Sequence, residues 1–210
     1  MTNHQTTAVP AAEAVEFEPI DRGSFLLKGA LAAGAIYGAG AIGPMIGRAF
    51  AQSDSGDIEI LNFALTLEYL EADFYDQAIQ QLDLGGDLAA LAKEIGENEQ
   101  EHVDALAGTV TDLGGKPAKK PTFEFGLTDE KSFIDLAVTL EDTGVSAYNG
   151  AGPALKSKEL LATAGSIVQV EARHAAAVRL QAGLQPVIEA FDTPLDMDEV
   201  LKAVEPFIKA

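Results

Sequence analysis

The sequence predicts an all-α protein: an antiparallel four-helix bundle with a long crossover between helices two and three, plus a short C-terminal helix. Two observations predict it, namely four long segments with the apolar spacing of helices and a repeat that relates the first pair of segments to the second. The 210 residues are 47% hydrophobic and include neither Cys nor Trp, so aliphatic, Ala and Phe side chains must form the core. Cysteine chemistry and thiolate-held metals are therefore excluded.

The charge balance is strongly acidic. Fourteen basic residues stand against 33 acidic ones, for a net charge of -19. Such a field repels phosphate backbones and anionic lipid surfaces and attracts cations. We expect no nucleic-acid partner, although an acidic surplus by itself also serves solubility.

Residues 1–51 have the order of an export signal. A polar segment is followed by an apolar Gly/Ala-rich run from Gly29 to Ile46, and Ala49-Phe50-Ala51 is a small-x-small cleavage site. The apolar run also reaches the lower length limit of a membrane span, so a retained anchor is the alternative. We expect cleavage after Ala51, and a periplasmic or cell-envelope protein without stable membrane insertion.

The segment before the apolar run resembles a degenerate twin-arginine signal. Arg22, Phe25 and Lys28 agree with that pattern. Gly23 stands where the second arginine is usual, so the export route is open between the twin-arginine and general secretion pathways.

The helices are predicted in order from apolar period, capping residues and glycine breaks. The first pair is separated by Leu84-Gly85-Gly86 and the second pair by Gly150-Ala151-Gly152-Pro153. The predicted helices cover residues 57–82, 87–112, 128–149 and 157–182, and a short amphipathic helix covers 197–204. The bundle domain is thus expected over 52–183, and a C-terminal extension over 184–210.

The stretch from Gly114 to Leu127 has prolines and no helical period, and it is predicted to be the crossover. A helix of about 25 residues is about 38 Å long. A connection of about 14 extended residues reaches about 46 Å. The link can therefore run the length of the bundle and start helix three beside helix one.

The two helical hairpins repeat each other at the residues that carry chemistry. Glu68 in the first hairpin has its counterpart in Glu141 of the second. A Glu-x-x-His motif also occurs once in each hairpin, as Glu99 with His102 and as Glu171 with His174, at an offset along the chain that agrees with the first to within one position. Pseudo-symmetry of a duplicated hairpin would bring all of these groups together.

This set predicts a dinuclear metal site. Residues three apart share a helix face, so each Glu-x-x-His motif can present a carboxylate and an imidazole to one ion. Two such motifs with two further glutamates form the ligand set of ferritin-like di-iron and di-manganese bundles. Four buried carboxylates would repel one another unless cations neutralised them. The predicted ligands are Glu68, Glu99, His102, Glu141, Glu171 and His174, holding two Fe ions or, alternatively, two Mn ions.

Nearby residues receive weaker assignments. Tyr75 and Tyr148 lie two turns beyond Glu68 and Glu141 on the same helix faces. Each hydroxyl can hydrogen-bond a ligand carboxylate or take part in electron transfer, and packing in the core is the favoured alternative. No catalytic residue is predicted apart from the metal site. Glu71, one turn from Glu68, is a candidate for a carboxylate on the entry path of the metal, but the sequence favours a solvated face for it and for Glu97 and Glu101.

These motifs resemble the ferritin-like domain family that includes plant desiccation-related proteins and many exported bacterial proteins, within the ferritin-like di-iron carboxylate superfamily. The resemblance is carried by Leu67-Glu68-Tyr69-Leu70-Glu71-Ala72-Asp73-Phe74-Tyr75, its counterpart at 140–148, and Val170-Glu171-Ala172-Arg173-His174-Ala175. It implies that Glu99 and Glu171 bridge the two ions, that Glu68 and Glu141 bind terminally, and that each histidine binds one ion.

Three functions are compatible with this ligand set. The leading hypothesis is oxidation of Fe(II) by dioxygen or peroxide, which would limit oxidative stress in the cell envelope. The alternatives are a manganese catalase-like enzyme and a non-enzymatic stress or desiccation-related protein that keeps its metal structurally. The C-terminal tail is unlike the fifth helix of a storage cage, so we expect a monomer or homodimer.

Overall fold

The computed structural model describes residues 55–209. The predicted export signal, residues 1–51, lies outside the described residues. Four long helices dominate the described part: α1 Ser55–Gln81, α2 Gly86–Asp112, α3 Glu130–Ala151 and α4 Lys158–Gln181. A fifth, α5 Met197–Val204, follows in the tail. The all-α prediction is confirmed, and the five helices agree with their predicted bounds to within about two residues.

The helices begin and end where local chemistry favours it. Asp129 caps α3 by accepting a hydrogen bond from the Ser132 amide, and the Ser132 hydroxyl accepts one in return from the Asp129 amide. Ser157 caps α4 by a single hydrogen bond, which its side chain accepts from the Leu160 amide. The third helix runs through the predicted break at Gly150 and ends in a 3-10 turn, Gly152–Ala154.

The helices form two hairpins that face each other. The α1 helix packs mainly on α2 and the α3 helix mainly on α4, while α1 also contacts α3 and α2 contacts α4. Asp57 is fully buried and ties the start of α1 to the start of α4, because its carboxylate accepts hydrogen bonds from the Lys156 and Ser157 amides. This link sets the relative height of the two hairpins.

The crossover contains a short strand that the sequence did not predict. Strand β1, Thr122–Phe123, pairs antiparallel with β2, Ile208–Lys209, at the end of the chain. Phe123 and Phe125 are buried beside this pairing, and Phe125 lies edge-on to Phe74 of α1 with ring centroids 5.3 Å apart. The crossover is therefore fastened on one side to the bundle core and on the other to the C-terminal extension.

The apolar core is divided into two clusters along the bundle axis. One contains Phe74, Ile95 and Phe133, and the other contains Leu65, Val103 and Ile167. On α2, Glu99 falls between a stretch of one cluster and a stretch of the other, and on α4 Glu171 does the same. The middle of the bundle is thus a polar layer enclosed by two apolar ones.

Within residues 55–209, no helix combines the length and the hydropathy that a membrane crossing requires.

Candidate metal centre

The polar layer contains all six predicted ligands, supplied by all four long helices. Its four predicted glutamates have no exposed surface. His174 is 6% exposed, and the His102 side chain is 11% exposed. One helix of each hairpin contributes a single glutamate and the other contributes a Glu-x-x-His motif, so the duplicated sequence becomes a pseudo-symmetric site. The described side chains that gather here are Glu68, Glu99, His102, Glu141, Glu171 and His174.

The six side chains form two overlapping groups. In one group, Glu68 and His102 join Glu99 and Glu171; in the other, Glu141 and His174 join the same two glutamates. Within each group the ligand-type atoms lie within 4.8 Å of one another, close enough to surround one ion. Glu99 and Glu171 belong to both groups, and this is the position that bridging carboxylates require.

Each imidazole presents Nδ1 to the carboxylates. Nδ1 of His102 lies 3.2 Å from Glu68, 3.0 Å from Glu99 and 3.1 Å from Glu171. Nδ1 of His174 lies 2.7 Å from Glu99 and 3.6 Å from Glu141. Both histidines are therefore oriented to bind through the same ring nitrogen.

The ligand atoms of the layer are arranged to bind metal ions rather than to hydrogen-bond with one another. Among the described residues, five buried atoms lack a hydrogen-bond partner, although some approach a neighbour closely. Buried polar atoms in folded proteins are nearly always hydrogen-bonded, so a cluster of exceptions requires a physical cause. Carboxylate oxygens and imidazole nitrogens converging on common points are the arrangement by which proteins bind iron or manganese. The five atoms are Glu99 Oε1, Glu141 Oε2, both Glu171 oxygens and His174 Nδ1.

The electrostatics of the layer are those of crowded, desolvated carboxylates. Burial raises the pKa of Glu68 to about 7, and burial together with the charge of Glu99 raises the pKa of Glu171 well above its usual range. Burial also raises the pKa of Glu141. If no metal ion is bound in the layer, protons must neutralise these carboxylates.

Glu99 behaves differently because it lies between the two imidazoles. Burial disfavours its ionised form, but its interactions with His102 and His174 outweigh burial and lower its pKa to about 2. Burial likewise disfavours the charge of His174, yet Glu141 and Glu99 raise its pKa to about 10. The pKa of His102 is also raised, because Glu171, Glu68 and Glu99 outweigh its burial.

The two tyrosines are arranged crosswise. The Tyr75 hydroxyl, on α1, donates a hydrogen bond to Glu141 of α3, and the Tyr148 hydroxyl, on α3, donates to Glu68 of α1. Glu68 and Glu141, the two predicted terminal ligands, are therefore each held by a tyrosine of the opposite hairpin. Such hydrogen bonds fix the orientation of ligand carboxylates.

The expectation of a solvated face is wrong for Glu71. This residue is only 3% exposed, and it points from α1 into the polar layer. The expectation holds for Glu97 and Glu101, which are both exposed on α2. The missed signal is the spacing itself, because a residue three after Glu68 lies on the same helix face.

Asn98 is a second functional candidate that the sequence did not predict. Its side-chain amide lies 3.2 Å from Nε2 of His174, the ring nitrogen that faces away from the carboxylates. A hydrogen bond at the outer nitrogen of a histidine determines its tautomer and the orientation of its ring.

Fold and site together define a class: a four-helix bundle protein with a central carboxylate–histidine cluster suited to two metal ions. The chain belongs to the ferritin-like domain family, which it matches over residues 56–184. This match confirms the ferritin-like part of the resemblance, while its exported and desiccation-related detail stays a prediction.

Three solved structures share the fold. A conserved hypothetical protein from Mycobacterium tuberculosis is 18% identical, with a TM-score of 0.57 over 65% of this chain and 97% of its own. A ferritin-like diiron-carboxylate protein from Bacillus anthracis is 21% identical, with a TM-score of 0.54 over 61% of this chain and 99% of its own. A two-domain protein from Anabaena variabilis, with DJ-1/ThiJ/PfpI-like and ferritin-like domains, is 22% identical. Its TM-score is 0.52 over 67% of this chain and 42% of its own.

A longer protein is also similar in sequence. Protein rds1 of Schizosaccharomyces pombe is 26% identical over 160 residues, which cover 72% of this chain. The chain spans only 39% of the length of that protein.

Proposed function

We propose that this protein holds two iron ions in the polar layer and oxidises Fe(II) with dioxygen or peroxide. The observation that carries the proposal is the pair of ligand groups that share Glu99 and Glu171, in which five buried atoms lack a hydrogen-bond partner among the described residues. Two iron ions bound side by side in this enclosed site would supply two electrons, one from each ion. The relationship to a diiron-carboxylate protein supports iron, although the ligand types themselves also suit manganese.

The reaction is balanced with two Fe(II) as substrate. Each Fe(II) loses one electron, and one hydrogen peroxide molecule accepts both electrons and two protons to leave as two waters. Dioxygen that accepts the same electrons and protons leaves as hydrogen peroxide. The protein contributes the anionic oxygens that stabilise the more highly charged Fe(III).

The surrounding residues position this chemistry. Tyr75 and Tyr148 hold the terminal carboxylates Glu141 and Glu68, and the two apolar clusters keep bulk water out of the layer. In a low-dielectric site, fixed dipoles and charges act more strongly than in water.

Elemental analysis and oxidation assays test the proposal. Protein purified without chelators should contain close to two ions per chain, and the metal-depleted protein should oxidise added Fe(II) faster than buffer does. His102→Ala and His174→Ala should each weaken metal binding about 10-fold or more and slow the oxidation. The matched control is Glu94→Ala, an exposed residue of α2, which should change neither quantity.

The alternatives give different outcomes in the same assays. Bound manganese with oxygen evolution from peroxide would indicate a catalase-like enzyme, and two bound ions without turnover would indicate a structural metal. A folded, never-chelated sample without metal would overturn the proposed function.

We propose further that the chain is exported and cleaved after Ala51, and that the mature protein is a monomer or homodimer. N-terminal sequencing of native protein and sedimentation analysis test these points. A soluble cytoplasmic chain that retains Met1 would contradict export. If Gly23→Arg sharply increases export, the route is a weakened twin-arginine one.

A further inference from the structure

Glu71 is a buried carboxylate that the six-residue ligand set leaves without a role. It lies on α1 one turn after Glu68 and is 3% exposed. The charges that act most strongly on its carboxylate are repulsive, because they belong to other buried glutamates: Glu171, Glu99, Glu141 and Glu68. An unpaired buried carboxylate is among the costliest features a folded protein can contain, unless a cation neutralises it.

The Glu71 side chain reaches the polar layer because residue 144 is a glycine. A Cβ atom at Gly144 would lie 2.8 Å from Glu71 Oε1 and 3.4 Å from Glu171 Oε2. The Glu71 carboxylate therefore occupies the space of the missing side chain and borders Glu171, one of the two shared carboxylates. Any larger residue at 144 would force the Glu71 carboxylate to move.

The internal repeat pairs these two positions with each other. Glu71 follows Glu68 by one helical turn, and Gly144 follows Glu141, the counterpart of Glu68, by the same turn. One hairpin thus supplies an additional carboxylate, and the other hairpin supplies the gap that receives it. The central layer departs here from its pseudo-symmetry, and it does so with an acidic group.

We infer that Glu71 is a fifth carboxylate ligand of the metal centre, admitted by Gly144. The inference rests on the proposed function. It assigns the centre five glutamates and two histidines, with the additional anionic oxygen entering on the Glu171 side. An extra carboxylate increases the affinity of such a centre for hard cations.

The isosteric variant Glu71→Gln tests this role. We expect it to weaken binding of Fe(II) or Co(II), measured anaerobically by competition with a chromophoric chelator, by about 10-fold or more. The melting temperature of the metal-free variant should be unchanged or higher, because a buried acid has been replaced by a neutral group of the same shape. A purely structural role would instead lower that melting temperature. Glu94→Gln is the matched control and should match the wild type in both measurements.

A double-mutant cycle tests the part played by the glycine. Gly144→Ala should weaken metal binding by displacing Glu71, but it should add little to the loss already caused by Glu71→Ala, which removes the clashing side chain. Fully additive losses would show that Gly144 does not act through Glu71. A metal-loaded crystal structure should place a Glu71 oxygen within coordination distance of one ion.

The outcomes separate this inference from the proposed function. Wild-type protein that binds no metal would overturn both. Wild-type protein with two ions, together with unchanged affinity in Glu71→Gln, would overturn only the role of Glu71.

Discussion

Asn98 makes the surroundings of the two histidines unequal. Its amide lies 3.2 Å from Nε2 of His174, on the outer side of the ring. The repeat that relates His102 to His174 relates Asn98 to Val170, which has no polar side chain to offer His102. The half of the centre that contains His174 therefore has a contact at the outer ring nitrogen for which the repeat provides no equivalent beside His102.

We predict that Asn98→Ala weakens metal binding about 10-fold, because the His174 ring loses the partner that fixes its tautomer. Chelator competition measures the effect. Gln100→Ala, at an exposed position of the same helix, should leave the affinity unchanged. Equal losses in the two variants would show that the Asn98 amide has no specific role.

Helical phase accounts for what could be predicted at individual residues. It placed Glu68, Glu99 and His102 on inward faces, because positions three or four apart along a helix point the same way. Applied without exception, it would also have placed Glu71 inward. The crosswise hydrogen bonds of Tyr75 and Tyr148 could not be derived in this way, since they depend on how the hairpins pack against each other.

At the scale of elements, the C-terminal extension is fitted closely to α3. The Leu195 amide donates a hydrogen bond to the Ser146 carbonyl, and a Cβ atom at Gly150 would lie 1.8 Å from the Leu195 carbonyl oxygen. That oxygen belongs to backbone, so it cannot move aside as a flexible side chain would. The glycine that was predicted to break the helix is thus a docking point inside it.

We predict that Gly150→Ala lowers the melting temperature by several degrees and loosens the extension, which hydrogen exchange at residues 193–209 can detect. The control is Gly165→Ala, because nothing lies within 4 Å of a Cβ atom at that position of α4. Replacing a mid-helix glycine that has open space at its Cβ position by alanine should stabilise the fold by about 0.5–1 kcal/mol. A Gly150→Ala protein as stable as the wild type would contradict the close fit.

The two short strands are the elements that the sequence analysis did not predict. The long helices repeat their apolar spacing over many turns, so their presence and approximate ends are encoded locally. Strands β1 and β2 have two residues each, too few for any alternation to appear. Their pairing joins positions such as Phe123 and Ile208, which only the packing of the crossover brings together.

At the scale of the whole molecule, the polar layer occupies the middle of the bundle, where apolar side chains would have stabilised the fold more. Two apolar clusters enclose it, and a continuous core would have been easier to stabilise than a layer of desolvated carboxylates. The stability of the fold should therefore depend on what neutralises the layer, protons or metal ions.

In the chelated protein, we predict that stability decreases as the pH rises. Burial raises the pKa of Glu68 from 4.5 to about 7, and Glu141 and Glu99, outweighing burial, raise that of His174 from 6.5 to about 10. The folded chain therefore holds protons that the unfolded chain releases over these two pH ranges. By linkage, its stability falls as the pH rises through each range. Glu99 contributes little to this trend well above its ordinary pKa of 4.5, because it is then ionised in both the folded and the unfolded chain.

Metal ions compete with protons for the same ligand atoms. In the metal-loaded protein, stability should therefore rise with pH instead of falling. Thermal unfolding between about pH 5 and pH 9 measures both cases, and the chelated protein should lose about 5 °C or more over that range. In Glu68→Gln the decrease between about pH 5 and pH 7 should be smaller, because one of the titrating groups is gone. A chelated wild type whose melting temperature rises with pH would show that its buried carboxylates do not hold extra protons.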